Sequence, residues 1–222
     1  MHKQGPRALS VASAGDRLLL ALLLPFIALM ATTILASAAA PNENWLYLLK
    51  VMTVGGILYI YWDQYAGLLS KLSPASIIVG LITGLLWIAT SPAGAGETPL
   101  GVWLFALPPW LAAFWILMRA LGSIVFVPIA EELAFRGYLH RAPTSRNFQA
   151  VAPNRFTWLA FVVSSVSFGL LHQRWLAGTL AGAIYAILMY RTGRLSDPIA
   201  AHMASNCAIV VWAVAAQQWS LL

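Results

Sequence analysis

Apolar runs close to the roughly 20-residue length that crosses a bilayer recur from Leu18 to Leu222. Breakers such as Ser91-Pro-Ala-Gly-Ala-Gly-Glu-Thr-Pro99 and Asp197-Pro198 separate them. In hydrocarbon every backbone N–H and C=O must be satisfied within its own segment, so runs of this length read as helices rather than strands. The expected segments are Leu18 to Ala40, Trp45 to Trp62, Pro74 to Thr90, Leu100 to Met118, Leu121 to Leu139, Phe156 to Leu171, Trp175 to Tyr190 and Pro198 to Trp219. The fold class is therefore an all-α, polytopic integral membrane helical bundle, with about eight transmembrane helices.

Composition agrees. Of 222 residues, 60% are hydrophobic and 9% charged, against about a quarter charged in a soluble domain, which excludes a soluble globular protein. No stretch is left for a second, water-soluble domain, so residues 1–222 are expected to form a single membrane domain, with N-terminal helices over 1–118 and a polar-bearing core over 119–222. The formal charge is +6, but the basic residues lie at segment ends and in short loops. Anionic headgroups of membrane lipids are thus the expected partner, and nucleic acid is not. Cys207 is the only cysteine, which rules out an intrachain disulfide and reads as a buried, apolar-like thiol.

His2, Lys3, Arg7 and Arg17 precede the first apolar run, and Ala36-Ser-Ala38 would suit a signal peptidase. That run is longer than a signal core of roughly 7–15 residues and further spans come after it, so an uncleaved helix is expected. Basic residues divide almost evenly between the two sides, and a cytoplasmic N-terminus is the reading adopted. Gly80 with Gly84 and Gly178 with Gly182 are small-residue pairs that let helices approach closely.

Against this apolar background Glu131, Glu132 and Arg136 stand in the run Phe126-Val-Pro-Ile-Ala-Glu-Glu-Leu-Ala-Phe-Arg-Gly-Tyr138. A carboxylate at membrane depth is costly enough to point to function. Residues four apart share a helix face, so Glu132 pairs with Arg136 while Glu131, about a hundred degrees round, is left free. The same spacing sets Phe168 over His172 and His202 over Asn206. Amide hydrolysis needs an activated water, donors for the oxyanion and a proton for the leaving amine. Glu131 and His172 suit the first task. His202 and Asn206 suit oxyanion donation or a metal sphere, asparagine being better as a donor.

The order Glu-Glu-x-x-x-Arg, Phe-x-x-x-His, His-x-x-x-Asn, all in expected membrane helices, resembles the CPBP family of intramembrane endopeptidases, which includes the type II CAAX prenyl proteases and the bacteriocin-immunity (Abi) proteins. The resemblance covers Glu131 to Asn206 and makes 119–222 a catalytic core. It implies that Glu131 and His172 orient the attacking water, that Glu132 with Arg136 braces the site, and that His202 with Asn206 forms the oxyanion pocket. The helices before it and the stretch around Leu46-Tyr-Leu-Leu-Lys50 are similar to a bacterial branch found beside exosortase sorting systems. The implied substrate is a membrane-associated or lipidated polypeptide, and the implied location a bacterial inner membrane. The implied cofactor is either none or a divalent metal such as zinc; a metal would fall to Glu131, His172 and His202. No His-Glu-x-x-His motif is present.

The runner-up is a non-enzymatic transporter-like or immunity protein that keeps the polar core to bind a peptide or protons. A structural ion network is the blander reading of the glutamates and arginine, and a satisfied core histidine that of His172 or His202. Phe168 reads as a packing residue. His140, beside Arg141, reads as interfacial, and Lys50 as a side chain snorkelling to the headgroups. Trp45, Trp62, Trp103, Trp110 and Trp158 fit an interfacial belt. A serine elbow and an intramembrane aspartate pair are both missing: Asp63 and Asp197 lie at segment ends.

Overall fold

The computed structural model describes residues 14–39, 43–68, 72–92 and 98–222. The basic residues His2, Lys3, Arg7 and Lys71, and most of the 91–99 loop, lie outside the described residues. Nine α-helical stretches occupy the rest, and no strand is found among the described residues. They are α1 (Ala14–Ala38), α2 (Glu43–Ile60), the single turn α3 (Trp62–Tyr65), α4 (Pro74–Ala89), α5 (Pro99–Ala106), α6 (Pro109–Leu139), α7 (Trp158–Leu170), α8 (Trp175–Thr192) and α9 (Ser196–Ala215). Helices α1, α6 and α9 are long and apolar enough to cross a membrane.

Local chemistry sets the ends. Pro74, Pro99 and Pro109 each open a helix, where a missing N–H costs nothing. The hydroxyls of Thr98 and Thr157 accept from the N–H groups of Gly101 and Ala160, capping α5 and α7. Gly193, at φ 64°, closes α8 in the left-handed conformation.

The structure divides 100–139 differently from the sequence expectation. The break falls at Pro108, with Leu107 extended at ψ 153°, because a following proline disfavours the helical region. Beyond it, Arg119 and Ala120 do not interrupt α6. The helix instead absorbs two π-helical stretches, Gly122–Phe126 and Leu133–Leu139, and becomes the central element, touched by α1, α2, α7 and α9.

Around α6 the helices pair as α1 with α2, α4 with α9 and α7 with α8. The α4–α9 crossing depends on Gly80 and Gly84: a Cβ at Gly80 would strike the Ala201 carbonyl, and one at Gly84 would stand 2.7 Å from the Ser205 carbonyl. Asp197, fully buried at the start of α9, accepts from Ser73 N–H (2.9 Å), Ser76 Oγ (2.7 Å) and Arg194 Nε (2.8 Å), fastening both helix starts. The outside is apolar: Ile78, Leu85, Leu117, Leu176 and Leu180 are all exposed. Patches of this extent belong in lipid, not water. Trp62, Trp110 and Trp158 are exposed too, whereas Trp103 turns inward onto Trp115, with ring centroids 5.4 Å apart.

Candidate active site

Glu131 and Glu132 end the short α-helical stretch between the two π-helical stretches of α6. A π-turn widens the helix by one residue and re-aims the side chains beyond it, a device common at functional sites. Glu132 and Arg136 are both fully buried. Arg136 Nη1 donates to Glu132 Oε1 at 3.1 Å, and Nη2 donates to the Gly182 carbonyl of α8 at 2.6 Å. The guanidinium also lies 4.7 Å from the Phe168 ring centroid and 5.6 Å from that of Tyr185. Packing on aromatic faces lowers the cost of burying a cation.

His202, on α9, stands between the two glutamates. Its Nδ1 is 3.0 Å from Glu132 Oε1 and its Nε2 is 3.9 Å from Glu131 Oε2. The Glu132 oxygen already accepts from Arg136, so the histidine is the donor in the shorter contact. Tyr185 stacks on the His202 ring at 4.9 Å and 22°, and Phe168 meets it edge-on at 5.6 Å. The imidazole is thereby fixed in the plane that joins both carboxylates.

His172 sits in the turn just past the end of α7 rather than within the helix. Its Nδ1 lies 2.8 Å from the Phe168 carbonyl, and its ring packs 4.8 Å from the Phe168 ring. A carbonyl only accepts, so the neutral ring carries its proton on Nδ1 and its lone pair on Nε2. Trp87 of α4 braces the other side at 5.7 Å. Arg174 in turn packs 4.6 Å from the Trp87 ring and donates to the Trp87 carbonyl, Ser91 Oγ and Thr90 Oγ1 at the end of α4.

One cavity of about 220 Å³ is lined by Glu131, His172, His202 and Asn206, with Phe168 and Tyr185. Asn206 donates one amide hydrogen to the Ser123 carbonyl at 2.8 Å, and the amide holds a second. Glu132 and Arg136 do not reach the cavity and lie behind it. Glu131 Oε2 is buried without a hydrogen-bond partner. Of the six expected site residues, four thus share the chamber and two form its backing.

Among the described residues no three His, Cys, Asp or Glu side chains converge to hold a metal ion. Both His202 nitrogens face carboxylates, and one His172 nitrogen is taken by backbone. The suggested ligand set Glu131, His172 and His202 does not form a three-ligand site in this geometry, and no step of the mechanism runs through a metal.

Several residues depart from the sequence reading or were missed by it. Lys50 does not snorkel outward: it lines the same cavity, as do Arg119 and Tyr47. His140 is fully buried, with its ring 4.0 Å from that of Tyr190, rather than interfacial. Tyr185, which orients His202, had no sequence signal beyond an aromatic residue in an apolar run.

Fold and site together define a helical integral membrane protein with an apolar exterior and a cavity between its helices that is lined by polar and charged side chains. Residues 113–208 match the family model described as type II CAAX prenyl endopeptidase Rce1-like. This segment holds all six motif residues and is similar to that family, in agreement with the CPBP resemblance. No curated protein and no solved structure matches the chain.

Proposed function

We propose that the chain is an intramembrane endopeptidase that hydrolyses a peptide bond of a membrane-associated or lipidated polypeptide with a water activated by Glu131 and His172. The observation that carries this reading is the shared chamber: Glu131, His172, His202 and Asn206 line one cavity of about 220 Å³, large enough for a water and a peptide group. In this mechanism Glu131 takes a proton from water while His172 Nε2 accepts a hydrogen bond from the same molecule and aims it. The hydroxide oxygen adds to the scissile carbonyl carbon. The second amide hydrogen of Asn206 meets the oxyanion, joined by the Nε2–H of His202 when that ring is protonated. Collapse breaks the C–N bond, and the proton held on Glu131 passes to the leaving amine. Glu132 and Arg136 touch no reacting atom; they are positioning residues that hold His202.

Cleavage of a farnesylated peptide by the purified full-length protein in nanodiscs tests this. Glu131→Gln should lower turnover by at least about 10³-fold, the upper part of the effect attributed to a positioned base, while the melting temperature in detergent stays near that of the unmodified protein. Turnover retained in Glu131→Gln removes Glu131 as the base.

A further inference from the structure

His172 aims the water in the proposed mechanism, yet it stands in the turn between α7 and α8, past the helical hydrogen bonds of α7. Its N–H reaches the Gly169 carbonyl at 2.9 Å and its ring takes the Phe168 carbonyl, so both bonds tie it to α7 alone. Gly178 of α8 leaves room for it: a Cβ there would stand 3.1 Å from His172 Cβ and 3.2 Å from Cγ. A further neighbour is Trp87 of α4, its ring centroid 5.7 Å away at an interplanar angle of 70°. Trp87 lines the same cavity and lies outside the segment 113–208 that matches the family.

Trp87 is fixed in its turn. Helix α4 ends at Ala89, and the carbonyls of a last helical turn have no N–H ahead of them in the helix. Arg174, two residues after His172, donates through Nη1 to the Trp87 carbonyl at 2.9 Å and to Ser91 Oγ at 2.6 Å, and through Nη2 to Thr90 Oγ1 at 2.6 Å. Its guanidinium also lies 4.6 Å from the Trp87 ring centroid. The aligned peptide dipoles favour a cation at a helix C-terminus, and the indole quadrupole favours a guanidinium on the ring. Arg174 itself stands outside the cavity lining. The contacts therefore form a circuit: His172 meets the indole, the indole meets Arg174, and Arg174 returns to the turn that carries His172.

We propose that Arg174 and Trp87 are positioning residues for hydrolysis: Arg174 clamps the end of α4 to the α7–α8 turn, and the indole so fixed holds the His172 ring with Nε2 directed at the attacking water. This rests on the protease reading for what His172 does. Without the clamp the ring is free to turn over, offer the Phe168 carbonyl its other nitrogen and carry its lone pair off the water. A displacement on the order of 1 Å from a near-attack geometry costs about 10²-fold in rate.

The test is steady-state cleavage of a farnesylated peptide by the full-length protein in nanodiscs, with rates taken per folded protein. Arg174→Gln, and Trp87→Leu, which leaves the residue 87 carbonyl to Arg174, should each lower kcat by about 10- to 100-fold and leave KM nearly unchanged. Arg174→Lys keeps a cation at the end of α4 and should recover most of the loss. In a His172→Ala background Arg174→Gln should add nothing, because residues that act through one another are not additive. The full loss in that background, an unchanged kcat in both single variants, or a loss confined to KM overturns the proposal. Where His172→Ala is too slow to follow, nitrogen-15 spectra of histidine-labelled protein decide, the His172 signals being those lost in His172→Ala. A single Nδ1–H tautomer in the unmodified protein and a mixture of tautomers in Arg174→Gln and Trp87→Leu support the clamp; the same single tautomer in all three overturns it. An unmodified protein that cleaves no peptide overturns the protease reading, and the spectra still decide whether the clamp holds the ring.

Discussion

Adjacent glutamates in one helix do different work because one helical step separates their environments. Glu132 shares one carboxylate oxygen between Arg136 and His202 in a fully buried network behind the cavity, while Glu131 lines the cavity itself; each keeps one buried oxygen without a hydrogen-bond partner. Removing one charge from a buried pair leaves the other uncompensated, which costs about 3–5 kcal/mol. Glu132→Gln should therefore lower the melting temperature clearly, and activity with it, since the neutral amide can still accept a hydrogen bond but no longer carries the charge that holds Arg136 and His202. Glu131→Gln should cost activity without comparable stability. Thermal unfolding in detergent beside a turnover assay separates the two, and equal stability losses would contradict this division of labour. The i, i+4 pairing of Glu132 with Arg136 was legible in the sequence because both lie on one helix. The role of Lys50 was not, since snorkelling and inward turning look alike until α2 has a neighbour.

At the scale of elements, the helical segments were legible because apolar runs between breakers mark them, although among the described residues three rather than about eight are long and apolar enough to cross a membrane, and the motif spacings were legible because they repeat one helical turn. The boundaries that failed are those decided by backbone detail. Pro108 rather than Arg119 breaks the 100–139 stretch, and no residue pattern announced the π-helical stretches that present Glu131. His172 lies past the last turn of α7, where its ring takes the Phe168 carbonyl and its N–H turns to the Gly169 carbonyl. The α4–α9 pairing depends on small residues at the crossing as well as on the Asp197 hydrogen bonds at the helix starts. At Gly84 an added side chain would meet the Ser205 carbonyl and the Ala208 Cβ at 2.7 and 3.2 Å, on the helix that carries His202 and Asn206. Gly84→Leu should therefore push α4 from α9 and cut turnover at least about tenfold, with a stability loss of about 1–3 kcal/mol typical of overpacking. Gly56→Leu, where a Cβ meets nothing within 4 Å, is the control in the same membrane environment. Equal behaviour of the two variants would mean that the α4–α9 approach does not set the site.

Across the described residues a set of charged and polar side chains is buried beside the apolar core while many large apolar ones face outward, so stability depends in part on keeping the buried titratable groups in their preferred states. His140 is the clearest case beyond the spanning stretch of α6, which ends at Leu139. Burial, followed by the nearby charge of Arg136, pushes its imidazole down to about 4. Tilted against the Tyr190 ring, it joins the end of α6 to α8. The unfolded chain protonates this residue near the ordinary histidine value of about 6.5, whereas the folded chain resists until about 4. Between those values the unfolded state binds more protons, so folding stability must fall as pH drops through that window and level off below it. His140→Phe keeps an aromatic ring against Tyr190 and removes the titration. Melting temperatures of both proteins should run parallel above pH 7, while between pH 6.5 and about 4 the unmodified protein loses stability faster. Parallel curves through that window would show that His140 takes up its proton as readily in the bundle as in the unfolded chain, and that its contact with Tyr190 does not depend on a neutral ring.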